Sequence, residues 1–337
     1  MIRRGVLLVN LGSPDSPNVN DVRRYLDEFL MDEYVIDLPW LIRRLLLSLF
    51  ILPIRPQKSA EAYRSIWAED GSPLISHSKA LTKALSQEVN LPIELAMRYG
   101  EPNIEQAVLR LANQHKVKEI LLFPLYPHYA MSTVKTVSQR TREIISAHNL
   151  PIRLNIFPVF YDHKSYISAL VESAKPWLDQ EYDHLIFSFH GVPIRHILKD
   201  DTSNKHCLKK NNCCAKSSSA HKTCYRHQVY RTACCFVEAA NIPQNKYTVA
   251  FQSRLGRAKW LEPNTVDILR QLAAKGEKKV LVICPSFVSD CLETLEEMGI
   301  AARKEFLNAG GESFTLIPCL NEHPAWIKTL STWLQST

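Results

Sequence analysis

The sequence predicts an α/β protein of two lobes, each built on a parallel sheet covered by helices on both faces. Three observations carry this expectation. The chain has 337 residues, about two domains' worth. Short apolar or β-branched runs alternate with amphipathic stretches nearly from end to end, at the spacing of βαβ units. The halves also echo each other. GVLLVNLGSP (5–14) and LIFSFHGVP (185–193) are both a strand followed by Gly-x-Pro, and in that alignment Leu11 falls on His190. KEILLFPLY (118–126) and KVLVICPSF (279–287) match as strand, proline and aromatic. Duplication and chance likeness between parallel-sheet strands would both produce this echo.

Taken in order, the first strand is expected at 5–11, where apolar residues follow one another without alternation, as a strand buried on both faces requires. Further strands are expected at 93–99, 119–123 and 153–157, then at 184–189, 247–251, 279–284 and 314–317. Helices fill the intervals, at 103–115, 132–148, 165–178 and 264–275, where apolar residues recur with helical spacing. The tract from Leu38 to Ile54 (LPWLIRRLLLSLFILPI) is interrupted by Arg43 and Arg44, and its uncharged part, 45–54, is ten residues long. Spanning a bilayer takes about 20 residues, so this tract is either a buried helix or an amphipathic lip at a membrane surface. Residues 199–223 are polar, rich in Lys, Asn, Ser and Cys, and aperiodic, and read as an insertion in a surface loop.

The composition narrows the class of function. Forty-one Lys and Arg against 34 Asp and Glu leave a net charge of +7. That suits an anionic ligand or an acidic membrane, but is too dilute to indicate nucleic acid. Nine cysteines, an odd number, and no secretory signal at the start predict a reduced, cytoplasmic protein in which a disulfide framework is not expected. The first βα turn carries only Gly12, and neither a Gly-x-Gly-x-x-Gly fingerprint nor a phosphate loop occurs, which argues against a nucleotide-dependent oxidoreductase.

Ligands of open parallel sheets sit at the carboxyl ends of the strands, and the unusual residues gather there. His190 closes an apolar strand just before Gly191 and Pro193. It reads either as a satisfied structural histidine or as a functional one, with the glycine clearing space for a flat or bulky ligand. After the 279–284 strand comes SDCLETLEE (289–297), a helix start with Ser289 or Asp290 as N-cap. Its spacing puts Asp290, Glu293 and Glu297 on one face. That face is either solvated or, with Cys291, Leu292 and Leu295 around it, a carboxylate row able to bind a hard cation or pass protons.

In their order along the chain, NLGSP (10–14), MRYGEP (97–102), LYPHY (125–129), SFHGVP (188–193), FQSRLGRAKWL (251–261), CPSFVSDCLETLEE (284–297) and IPCLN (317–321) resemble the ferrochelatase family. The likeness covers nearly the whole chain outside the insertion. It implies two Rossmann-like, chelatase-like lobes with a cleft between them: an N-terminal lobe at 1–152, with 318–337 packing back on it, and a C-terminal lobe at 153–317 containing the insertion at 199–224. It implies a lyase that inserts ferrous iron into protoporphyrin IX to make protohaem. His190 and Glu293 take the catalytic roles and meet the Fe2+ substrate, His190 as base or as iron ligand. Leu11, Arg55, Tyr63 and Trp260 are implied porphyrin contacts, with Asp290, Glu297 and Phe287 supporting the site from behind. The alternatives are a chelatase for another metal or tetrapyrrole, such as coproporphyrin, or a non-catalytic haem or iron-cluster binding protein. The protein is expected in the cytoplasm, with peripheral membrane contact through the tract from Leu38 to Ile54 and no nucleic-acid partner.

Within the insertion, Cys207, Cys213, Cys214 and Cys224 are spaced C-x5-CC-x9-C. Four thiolates suit either zinc or a [2Fe–2S] cluster, although the adjacent pair departs from the usual zinc knuckle. Resemblance to family members that carry a cluster in an internal insertion favours [2Fe–2S] over zinc. Cys234 and Cys235 read as buried helix residues, and His206 and His221 as lesser alternative donors.

Overall fold

In the computed structural model, residues 3–254, 256 and 258–336 are described. The chain divides into two units, one running up to Tyr126, from Met131 to Pro158 and from Leu330 onward, the other comprising Pro127–Ala130 and Val159–Thr329. Each unit carries a four-stranded sheet. The first consists of β1 (Arg4–Gly12), β2 (Ile93–Tyr99), β3 (Glu119–Pro124) and β4 (Arg153–Ile156), in the order β2-β1-β3-β4. The second consists of β5 (His184–His190), β6 (Tyr247–Gln252), β7 (Lys279–Ile283) and β8 (Ser313–Leu316), in the order β6-β5-β7-β8. All six pairings are parallel. The two orders are the same, with β5 standing where β1 stands, so the echo between 5–14 and 185–193 links topologically equivalent strands. β1 and β5, central in their sheets, are buried almost throughout, which is why they read as unbroken apolar runs.

Two expected boundaries move. β4 pairs with β3, from Glu119↔Arg153 to Leu122↔Ile156, so residues 153–156 belong to the first unit rather than opening the second. Of the C-terminal segment 318–337, the part up to Thr329 belongs to the second unit, where Trp326 lies against Phe160 and Tyr166. From Leu330 onward it belongs to the first, where Trp333 stacks on Phe123 and Phe157.

The tract from Leu38 to Ile54 is not a core helix. It forms the helix Trp40–Leu46, followed by a π-helical turn, Leu47–Ile51. Its polarity is inverted: Arg43 is buried, donating to the carbonyls of Ile36 at 3.2 Å and Leu38 at 2.7 Å, and Arg44 pairs with Asp27 at 2.7 Å. Leu47 and Leu52 are buried, but most of the large apolar side chains point outward, with Trp40 62%, Phe50 67% and Ile54 74% exposed, alongside Leu41, Ile42, Leu45 and Leu49. Among the described residues no helix is long and apolar enough to cross a membrane.

Candidate active site

The second unit gathers the chemistry at the carboxyl end of its sheet. β5 delivers His190, half-buried, at its last position. The imidazole Nδ1 lies 2.6 Å from the carbonyl of Gly191. A carbonyl only accepts, so Nδ1 carries the proton and Nε2 keeps its lone pair for a proton or a metal. Gly191 is required by its own surroundings: a Cβ there would lie 2.9 Å from the Gln252 carbonyl, 3.0 Å from that of Ser253 and 3.3 Å from the Trp260 ring. The glycine thus admits the end of β6 and the Trp260 ring against its own backbone, rather than leaving open room. The ring of Phe287 meets His190 edge-on, with centroids 6.1 Å apart.

The acidic segment folds differently from a single amphipathic helix. A one-turn α-helix, Leu292–Leu295, is followed by a π-helix, Glu297–Ala302. The N-cap is Cys291, not Ser289 or Asp290, and its N–H donates to Thr294 Oγ1 at 3.0 Å. Asp290 leaves the expected row. It is buried, and its carboxylate accepts from Thr294 Oγ1 at 2.9 Å and Asn321 Nδ2 at 2.7 Å, tying the turn to the segment after β8. Glu293 and Glu297 remain half-buried, one helical turn apart. The Cys291 thiol bonds to the Glu293 side chain, and buried Gln252 donates to the Glu293 carbonyl at 2.7 Å.

Glu297 is held by Ser253, whose N–H donates to Oε1 at 2.7 Å and whose hydroxyl donates to Oε2. Ser253 sits at φ +60°, a left-handed conformation uncommon outside glycine. Burial, and then the charge of Glu293, raise the Glu297 carboxyl above its ordinary range, against the opposing pull of the Ser253 bonds and of His190. His190, Glu293 and Glu297 therefore share one electrostatic neighbourhood. Among the described residues, however, no group of three or more His, Cys, Asp or Glu side chains is arranged to hold a metal ion.

A consequence of the Glu297 shift is testable. The raised folded-state pKa means that the protonated form favours folding, a contribution fully present below the unfolded pKa and lost as pH rises through the folded one. Glu297→Gln is therefore expected to raise Tm at pH 7 by roughly 1–3 °C, with the gain vanishing near pH 4. Thermal melts at both pH values check this.

The insertion is a folded element rather than a loose loop. Its opening residues extend the helix Ile194–Asp200, and buried Asp201 accepts from the main-chain N–H of Ser203, His206 and Cys207. Cys224 forms thiol hydrogen bonds with both Cys207 and Cys214. Cys213 accepts the N–H of Leu208 at 3.4 Å, and Arg226 donates to the Cys214 sulfur at 3.0 Å. His206 and His221 each bond the Cys213 carbonyl through Nε2, at 2.7 and 3.0 Å, and His227 bonds that of Cys214 through Nδ1 at 2.7 Å. Cys234 and Cys235 are half-buried, not buried, with Arg231 3.2 Å from the Cys235 sulfur.

The remaining implied porphyrin residues lie in the first unit. Leu11 is half-buried near the end of β1, and Arg55 is exposed at the start of the helix Arg55–Ile66. Tyr63 is buried, edge-on to Tyr25 and Trp67, instead of standing at an open lip. In the 251–261 motif, Leu255 and Arg257 lie outside the described residues. Gln252, Ser253 and Ser286 stand at strand ends, where the sequence places its unusual residues, but the bonds by which they support the site, and Tyr225 altogether, are not legible in the sequence.

Compared with solved structures, the fold is that of the metal chelatases. SirB from Bacillus subtilis with Fe3+ superimposes with a TM-score of 0.56 at 10% identity, covering 99% of this chain and 95% of that one. The sirohydrochlorin chelatase SirB from Bacillus subtilis subspecies spizizenii, in complex with cobalt, gives 0.54, also at 10% identity, over 99% of this chain and 95% of that one. The family model Ferrochelatase matches residues 3–337. The ferrochelatase of Pseudomonas fluorescens (strain Pf0-1) is 52% identical over 98% of this chain and 97% of its own, and that of Pseudomonas syringae pv. syringae (strain B728a) is 52% identical over the same shares. The chain belongs to the ferrochelatase family.

Proposed function

We propose that the protein inserts ferrous iron into protoporphyrin IX to form protohaem, the metallation step of haem biosynthesis. The observation that carries this reading is the His190 imidazole, with Nδ1 committed to Gly191 and Nε2 available, in the same neighbourhood as Glu293 and Glu297. Metallation removes two pyrrole protons and brings dehydrated iron to the nitrogens. Imidazole Nε2 suits the first task, and half-buried carboxylates suit proton exit and iron delivery, since iron(II) accepts oxygen and imidazole ligands. Leu11, Arg55, Tyr63 and Trp260 are proposed porphyrin contacts, with Phe287 and Asp290 holding the catalytic groups in place. Anaerobic incubation of purified protein with protoporphyrin and iron(II) should give haem absorbance bands; folded protein that gives none would reject the reading.

The exposed apolar ridge Trp40–Ile54, with Arg43 buried and Arg44 paired to Asp27, favours a hydrophobic porphyrin over a more carboxylated one such as coproporphyrin. It also supports peripheral contact with a membrane from the cytoplasm. The gathering of the four cysteines supports a [2Fe–2S] cluster in the insertion: Cys224 bonds to Cys207 and Cys214, the Leu208 N–H aims at Cys213, and the Arg226 guanidinium aims at Cys214. Cys207, Cys213, Cys214 and Cys224 would hold the cluster, which when bound would brace the insertion. Anaerobically purified protein is expected to be reddish with about two irons per chain. Cys213→Ser should bleach and destabilise it. A colourless protein with one zinc would overturn the assignment.

A further inference from the structure

The last residue of β5 is held from the side by groups far away in sequence. The ladder between β5 and β7 ends at Phe187↔Ile283, after which the chain reaches Pro285 and Ser286 two and three residues on. Beyond that point the main chain of His190 is bonded to side chains. Its N–H donates to Ser286 Oγ at 3.2 Å, and its carbonyl accepts from Tyr225 Oη at 2.7 Å. The two hydroxyls lie 2.9 Å apart. Because the phenol proton is committed to His190, the Ser286 hydroxyl is the donor between them. The result is a closed ring, from the His190 N–H through Ser286 and Tyr225 back to the His190 carbonyl, in which each bond polarises the next. The Tyr225 ring is buried and edge-on to His128, at 5.8 Å, so the hydroxyl has little freedom.

Tyr225 is also the first residue after Cys224. Cys224 is the N-cap of the helix Tyr225–Ala239, but its thiol makes no cap bond; it goes to Cys207 and Cys214 instead. The same helix start is stitched to the insertion by Gln228 Nε2, which donates to the carbonyls of His221 at 3.1 Å and Lys222 at 3.0 Å. One peptide bond therefore joins the residue that carries a sulfur of the four-cysteine site to the residue whose phenol fixes the His190 backbone.

We propose that Tyr225 is a positioning residue for His190, and that it transmits the order of the four-cysteine insertion to the metallation site. The proposal rests on the chelatase reading and deepens it. When the sulfurs are drawn together, Cys224 fixes the helix start, Tyr225 closes the ring with Ser286, and the imidazole is presented in one orientation. When the insertion loosens, the helix start moves and His190 loses its lateral support.

Tyr225→Phe keeps the ring but opens the hydrogen-bond circuit. It is expected to lower kcat by about tenfold to a hundredfold, while KM for porphyrin changes by less than about twofold, because misplacing a reacting group acts on the chemical step. Amide exchange at the end of β5, followed by mass spectrometry, should speed up. Cys224→Ser should do the same from the insertion side. In the double variant the two losses should not multiply, and kcat should stay within about twofold of Tyr225→Phe alone. Wild-type kcat in Tyr225→Phe, or multiplied losses in the double variant, would overturn the proposal. If Cys224→Ser fails to fold, iron is stripped from wild type and Tyr225→Phe with a chelator. Faster exchange at the end of β5 in wild type only supports the link, and an equal change or none in either protein refutes it. A wild-type protein that forms no haem would instead remove the chelatase reading, and the exchange measurements would still decide the coupling.

Discussion

His190→Ala is expected to abolish metal insertion while leaving porphyrin binding intact. The substitution removes the imidazole at the end of β5, whose Nδ1 is bonded to the Gly191 carbonyl and whose Nε2 keeps its lone pair. General-base transfer of this kind contributes about 100- to 10,000-fold, and no hydroxyl or amide nearby has a suitable affinity for protons. The support around the residue survives: Ser286 and Tyr225 bond to its main chain, and β5 stays paired with β6 at His190↔Gln252. The variant should therefore fold and quench porphyrin fluorescence as wild type does. Turnover above a small fraction of wild type would remove His190 from the mechanism.

The strands and the histidine were legible because each depends on local pattern. β1 and β5 are buried on both faces, so their apolar runs admit one reading, and a histidine closing such a run stands out. The acidic segment was legible only in part. Glu293 and Glu297 keep their i,i+4 relation across the end of the α turn, but Asp290 is drawn inward by Asn321 and Thr294, and the N-cap falls on Cys291. Nothing in SDCLETLEE announces that, because the partner of Asp290 comes 31 residues later. Tyr225 was invisible for the same reason: its bonds to His190 and Ser286 span 35 and 61 residues. The inversion of the tract from Leu38 to Ile54 eluded a choice between core and surface because it turns on Arg43, a charge the fold buries among carbonyls while turning leucines and Trp40 outward.

Glu293→Gln should cripple turnover, by about 100-fold or more, without loss of fold or of porphyrin binding. Glutamine matches glutamate in size, and the tie that fixes this turn, Gln252 Nε2 to the residue 293 carbonyl, is to the main chain and is retained. What disappears is the charge and the ability to pass a proton, both of which iron delivery and proton exit need. Glu296→Gln is the control. Residue 296 is rotated by about 100° from 295 and lies off the line from 293 to 297. Its carbonyl accepts the N–H of Ile300 at 3.1 Å and of Ala301 at 2.8 Å to start the π-helix. Neutralising its side chain leaves those bonds alone, so activity should stay within about twofold of wild type, the range usual for a surface change away from the reacting groups. Steady-state haem formation by the two variants, with porphyrin fluorescence as the binding control, separates the outcomes. Equal losses would mean that the charge of the whole segment matters and the row from 293 to 297 does not. A loss confined to residue 293 would place the proton and iron path on the face that Glu297, held by Ser253, continues.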